Sequence, residues 1–293
     1  MEQLLGYLIT GLSIGSLYSL VGLGIVLIYR STSVLNFAHG DMATVGAFIG
    51  FTLLCAHVPF WLSFLLPLIL GGGVGMLFYF CILIPAQRRE ASLVGQVILT
   101  LGFSLVLQGV IIYIWGAAQH PFPFPLSDSK VWNIGGVVIS ELTLGTLGIG
   151  LIGTLSLYLL VQKTRLGLAM RATSENLPAA QTLAIPTRMV LSISWGLAIS
   201  LGVLAGVFLA PTLLLDPSFM MEPFLKGVTA SVMGGLKSLP GAIVGGILLG
   251  VVESLAGGYI SIAFKNTLAF LIIIGVLLIR PEGLLGKEFK ERV

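Results

Sequence analysis

The stretch LLGYLITGLSIGSLYSLVGLGIVLIY, running from Leu4 to Tyr29, contains no charged side chain and is closed by Arg30. A helix rises about 1.5 Å per residue, so this run crosses the roughly 30 Å of hydrocarbon in a bilayer with residues to spare. Hydrocarbon offers the backbone no hydrogen-bond partners, and a helix satisfies its own N–H and C=O groups. The run is too long for the core of a signal peptide and follows Met1-Glu2-Gln3, which has no basic residue; it is expected to be a retained first span.

The same reading applies along the chain. Apolar segments of spanning length fall at 34–56, 60–84, 92–116, 142–162, 189–213, 239–256 and 259–279, which with the first makes eight. A further apolar piece, 224–235, is too short to cross unless it is a half-helix or re-enters. Over 293 residues, 56% are hydrophobic and only 9% charged, with a mean hydropathy of +1.05. The expected fold is therefore an all-α polytopic membrane protein with about eight transmembrane helices plus a short broken or re-entrant segment. The runs are helix-length, not the ten-residue alternating strands of a barrel.

Charge excludes other classes. The 15 basic residues are scattered between apolar runs, giving a net charge of +3 and no basic, aromatic-interleaved surface for nucleic acid. Cys55 and Cys81 lie in or at the end of apolar segments and are read as packing residues, not a disulfide or metal pair. Short cytoplasmic loops collect Lys and Arg. Arg30, Arg88, Arg89, Lys163, Arg165, Arg171, Arg188, Arg280, Lys287, Lys290 and Arg292 fall in alternate connections or the tail, which places those connections and the C-terminus in the cytoplasm. The N-terminus is then outside, which requires an odd number of crossings. Either 224–235 is the ninth, or one segment fails to span, and the segment holding Asn36 to Asp41 is the first candidate.

Glycines are spaced Gly11/Gly15, Gly71/Gly75, Gly202/Gly206, Gly241/Gly245 and Gly246/Gly250, a pattern that lets helix backbones approach closely.

Polar groups inside apolar runs need a reason, because a charge at the bilayer centre costs about 3 kcal/mol on insertion scales. Asn36, His39 and Asp41 open the second segment. At 100° per residue Asp41 lies about 200° from His39, so one regular helix cannot aim all three at a point. Two readings stand: Gly40 breaks the helix and the cluster lines a transport path, or Asn36 and Asp41 cap and anchor a helix start. Glu253 either faces a cavity, pairs with Lys265, or snorkels at the external surface. No His/Cys/Asp/Glu group has metal spacing and no nucleophile motif is present. Gly234-Gly-Leu-Lys-Ser238 fails as a phosphate loop because Leu236 separates glycine from lysine. The chain is expected to have no catalytic site and no cofactor of its own.

The longest cytoplasmic connection, QKTRLGLAMRATSENLPAAQTLAIPTR from Gln162 to Arg188, predicts one short surface helix with Leu177, Ala180 and Ala184 on a face, Asn176 as N-cap, Pro178 in the first turn and Pro186 at its end.

Four stretches together carry a resemblance: Gly15-Ser-Leu-Tyr-Ser-Leu20, Asn36-Phe-Ala-His-Gly-Asp41, Arg165 to Asn176 through Leu183-Ala-Ile185, and Arg280-Pro-Glu-Gly-Leu-Leu-Gly286. The sequence resembles the permease subunits of branched-chain amino-acid ABC importers over nearly its whole length. The resemblance implies one transmembrane permease domain over 1–293, with a cytoplasmic coupling loop at 163–188 and a cytoplasmic tail at 280–293, in a bacterial inner membrane. It implies an ATPase contact through Arg171, Glu175, Asn176 and Ala180, where relatives commonly carry glycine in place of Ala184. Two cytoplasmic ATPase subunits holding ATP and Mg, a second permease chain, identical or homologous, and an external substrate-binding protein are the implied partners. The pathway between permeases is expected to involve Asn36, His39 and Asp41, with urea or short amides as alternative substrates. The rival reading is an ion-coupled secondary transporter or channel using Asp41, His39 or Glu253. An assembly factor without transport activity is a third, disfavoured by the polar cluster and the docking-like loop.

Overall fold

The computed structural model describes residues 2–126, 130–134, 137–261, 264–280 and 282–286. Pro281, Lys287, Lys290 and Arg292 lie outside the described residues. In chain order the helices are α1 (Glu2–Thr32), α2 (His39–Cys55), α3 (Phe60–Phe78), α4 (Ile84–Arg88), α5 (Leu93–Trp115), α6 (Glu141–Lys163), α7 (Arg165–Glu175), α8 (Leu177–Thr182), α9 (Thr187–Leu213), α10 (Met221–Gly234), α11 (Leu239–Tyr259) and α12 (Lys265–Ile279). A π turn, Tyr79–Leu83, joins α3 to α4. Strands β1 (Val131–Ile134) and β2 (Val137–Ser140) pair antiparallel, Val131 opposite Ser140, in the connection between α5 and α6.

Among the described residues, each of the eight apolar segments contains a helix. Among the described residues six helices are long and apolar enough to cross a bilayer: α1, the continuous rod Phe60–Arg88, α5, α6, α9 and α11. Helices α2, with 17 residues, and α12, with 15, are shorter than expected. For α2 the reason is local, because Val34 to Ala38 form a turn and the helix begins only at His39. The 224–235 piece is part of the 14-residue helix α10.

Two compact units divide the chain. The first comprises Met1–Val26, Pro125–Thr154 and Leu225–Val293. Here α1 lies on α11 through the paired glycines. A Cβ on Gly15 would sit 2.8 Å from the Gly246 carbonyl oxygen, and one on Gly11 would sit 2.7 Å from Val251 Cα. Ser19 Oγ donates to the Ile243 carbonyl at 2.9 Å and Ser254 Oγ to the Tyr7 carbonyl at 2.7 Å, so the seam is hydrogen-bonded as well as close. The Gly234-Gly-Leu-Lys-Ser238 loop is a tight α10–α11 connection in which Gly235 takes φ 105° and Ser238 caps α11 through Gly241 N–H. The ending Gly283-Leu-Leu-Gly286 closes over it. Leu284 N–H donates to the Met233 carbonyl at 2.7 Å and Leu285 N–H to the Gly234 carbonyl at 3.1 Å, satisfying two orphan carbonyls at the end of α10.

Glu253 does not snorkel. Its Oε1 accepts from Lys226 Nζ of α10 at 2.6 Å with both residues buried, an ion pair that the sequence reading does not anticipate; the Lys265 side chain lies outside the described residues.

The second unit comprises Leu27–Phe124 and Leu155–Phe224. Helices α2, α3 and α9 form its centre. Gly75 of α3 abuts Trp195 of α9, its virtual Cβ 2.9 Å from the Trp195 carbonyl, and Ser200 Oγ donates to the Leu68 carbonyl at 2.9 Å. The π turn follows from Pro85, which has no N–H for the Cys81 carbonyl and whose ring would collide with it in a regular helix. Cys81 itself and Cys55, expected to pack, are both exposed.

Candidate functional site

The polar cluster belongs to the second unit. Ser33, at φ 57°, ends α1 by turning left-handed, and the chain re-enters helix six residues later. Asn36 makes that re-entry: its Oδ1 accepts from Ala38 N–H at 3.1 Å and its carbonyl accepts from His39 N–H at 3.3 Å. A short side chain that bonds its own backbone two residues on is what fixes such a turn. Asn36 thus holds the turn that precedes α2, whose N-cap, Ala38, has no side-chain cap bond.

From His39 onward the helix is regular. Gly40 does not break it but allows close packing, since a Cβ there would lie 3.1 Å from the Met220 carbonyl oxygen and from Phe224 Cβ. His39 and Asp41 consequently leave the helix on opposite sides. The His39 ring is fully buried, 6.4 Å from the Phe224 ring, and occupies the space that a side chain at Gly202 of α9 would take, its Nε2 lying 2.8 Å from the virtual Cβ. Neither ring nitrogen has a hydrogen-bond partner among the described residues.

Asp41 points at α5 instead. Oδ2 accepts from Ser104 Oγ at 2.5 Å and Oδ1 from Gln108 Nε2 at 3.0 Å. One turn earlier Thr100 Oγ1 accepts from Phe37 N–H at 3.1 Å, and Gln96 Nε2 donates to the Ala91 carbonyl at 3.0 Å. Gln96, Thr100, Ser104 and Gln108 form a polar seam on α5, every fourth residue, whose last three members clasp the turn and the start of α2. Reading 92–116 simply as an apolar span misses this seam, although its four-residue spacing is visible in the sequence. Asn36, His39 and Asp41 are neighbours, but each faces a different way.

This arrangement has a measurable consequence. Replacing Ser104 with alanine and Gln108 with leucine strands a buried carboxylate, and should cost about 3 kcal/mol of stability. Adding Asp41→Leu should recover part of the loss, read as melting temperature of the purified chain in detergent. A double variant that melts with the parent would disprove the clasp.

The connection after α6 forms two helices, not the single expected one. Asn176, at φ −152° and ψ 99°, ends α7 and caps α8, its Oδ1 accepting from Ala179 N–H at 3.0 Å. Pro178 sits in the first turn, as the sequence predicts. Ala184 takes φ 56°, a left-handed conformation that glycine adopts at no steric cost, so the face expected to run from Leu177 to Ala184 is cut short at Thr182. Glu175 and Asn176 are exposed, whereas Ala180 is buried and Arg171 Nη1 is engaged with Gln162 Oε1 at 3.1 Å.

A helical membrane chain with glycine-packed spans, a buried polar turn and an exposed helical connection defines a class, that of polytopic transport proteins. The chain belongs to the family of the branched-chain amino acid transport system permease component, whose model matches residues 7–279. It is 28% identical to the high-affinity branched-chain amino acid transport system permease protein LivH of Salmonella typhimurium, over 100% of this chain and 99% of that one. It is 30% identical to the permease protein BraD of Pseudomonas aeruginosa, over 98% and 97%. To the probable permease protein LivH of Methanocaldococcus jannaschii it is 33% identical, over 94% and 90%. These relatives are described as transport permeases, not enzymes.

Proposed function

We propose that the whole chain acts as one permease domain of an ABC importer, carrying branched-chain amino acids across the bacterial inner membrane by alternating access. The observation that carries this reading is membership of the permease family over residues 7–279. Energy comes from two separate ATPase subunits that hold ATP and Mg, since this chain offers no phosphate loop. A second permease chain and an external substrate-binding protein complete the assembly. The basic connections, with loop 163–188 and tail 280–293, face the cytoplasm.

Within this reading, loop 163–188 docks the ATPase. Glu175 and Asn176 present exposed polar groups to it, Arg171 steadies α7 from its contact with Gln162, and Ala180 packs beneath α8. On the pathway side His39 is the residue of choice. A fully buried imidazole without a hydrogen-bond partner among the described residues is costly to keep and needs a use. Asn36 and Asp41 support it by holding the turn and the start of α2. Both carboxylates that an ion-coupled carrier would need, Asp41 and Glu253, are engaged with side-chain donors, which favours the ATP-driven reading over the rival.

The test is reconstitution of the chain with its ATPases, second permease and binding protein in liposomes, with leucine, isoleucine, valine, urea and short amides as substrates. Uptake of the branched-chain amino acids, dependent on ATP inside the liposome, is the expected result. Uptake by this chain alone on an ion gradient would overturn the reading.

A further inference from the structure

Helix α10 is out of keeping with its surroundings. Its 14 residues reach only about 21 Å, short of the hydrocarbon thickness, and they include Glu222, Pro223 and Lys226. Its own composition does not drive it into a bilayer. Yet it packs against two helices that are long enough to cross, α1 and α11. Ser231 Oγ donates to the Gly22 carbonyl at 3.1 Å, and a Cβ on Gly22 would lie 3.3 Å from the Gly227 carbonyl.

Lys226 is the centre of this contact. Its Nζ donates to Glu253 Oε1 at 2.6 Å and to the Tyr18 hydroxyl at 3.1 Å, and stands 5.3 Å from the Tyr18 ring centroid. The lysine is 5% exposed and the glutamate 2%. Tyr18 lies at the middle of the 31-residue α1, so the charge pair sits deep in the bilayer if α1 spans it. An ammonium at that depth is tolerated only when it is neutralised, and a tyrosine offers both a hydroxyl and a ring face to the cation.

We propose that mutual neutralisation of Lys226 and Glu253, roofed by Tyr18, is what holds α10 at membrane depth: α10 enters the bilayer as the charge partner of α11, not on its own hydrophobicity. Its exposed apolar residue Leu225 then faces lipid. The closing segment at Leu284 and Leu285 secures the far end of the same helix through its carbonyls.

The test uses the full chain in sealed membranes, with the exposed Cys55 and Cys81 first replaced by serine and a single cysteine placed at Leu225. A membrane-impermeant maleimide should leave Leu225→Cys unlabelled from either side while the pair is intact. Lys226→Gln or Glu253→Gln alone should raise labelling at least tenfold, and the exchange Lys226→Glu with Glu253→Lys should bring it back to within twofold of the parent. If the single variants fail to accumulate, membrane abundance replaces labelling as the readout. The exchange must then restore at least half the parental amount. Labelling of Leu225→Cys with the native pair, unchanged protection in both single variants, or failure of the exchange to recover would each overturn the proposal.

Discussion

Leucine at Gly15 is expected to remove most of the folded chain from the membrane. A Cβ at that position meets backbone atoms, the Gly246 carbonyl oxygen at 2.8 Å and Ile247 Cα at 2.9 Å, and backbone cannot rotate out of the way as a side chain can. Helices in lipid associate by van der Waals contact and interhelical hydrogen bonds, so prising α1 from α11 also strains the Ser19 to Ile243 and Ser254 to Tyr7 bonds. Overpacking of this kind costs about 3 kcal/mol or more where backbone must move, a large share of the roughly 5–15 kcal/mol that keeps a domain folded. The control is Gly73→Leu, where an added Cβ meets nothing within 4 Å and the monodisperse yield on size exclusion should match the parent. Equal yields for the two variants would mean that the α1–α11 seam is not close-packed.

The second large effect concerns coupling, and it rests on the docking role proposed for loop 163–188. Alanine at both Arg171 and Glu175 removes one residue that positions α7 and one exposed charge that faces outward from it. A partly desolvated charge pair at a protein interface contributes about 1 kcal/mol or more, so losing the Glu175 pair on an α7 no longer steadied by Arg171 should lower ATP-driven uptake by about fivefold or more. Insertion and yield should be unchanged, because neither side chain lies in a spanning helix. Uptake at the parental rate would place the ATPase contact elsewhere.

Much of the architecture was legible in the sequence because its signals are one-dimensional. Apolar runs reported the helices, paired glycines reported that helices approach closely at those positions though not which helices, and Asn176 with Pro178 reported the start of α8. What was missed depends on partners distant along the chain. Lys226 disappears into an apolar piece and Glu253 lies 27 residues away, so their pairing emerges only when α10 and α11 fold back on each other. The α5 seam has a visible four-residue spacing, but its partners Phe37 and Asp41 lie more than sixty residues away. Backbone conformation was the other blind spot. Nothing in the residue types around Ala184 or Ser33 announces a positive φ, yet these two residues set where α8 and α1 stop. Of the candidate site, the residues and the divergence of His39 from Asp41 were visible and their partners were not: Asn36 turned to its own backbone, His39 to α9 and Asp41 to α5.

The seam on α5 also settles how that helix is attached. Around most of its circumference α5 shows Leu101, Leu105, Val106 and Tyr113 to the outside, and in water such a surface would drive it into the protein. Lipid tails are as apolar as leucine, so here those side chains are indifferent to which way they turn. Orientation falls to the few groups that oil cannot satisfy. Thr100, Ser104 and Gln108 act as a keel, and a helix with a keel has one stable heading in a solvent that otherwise permits them all.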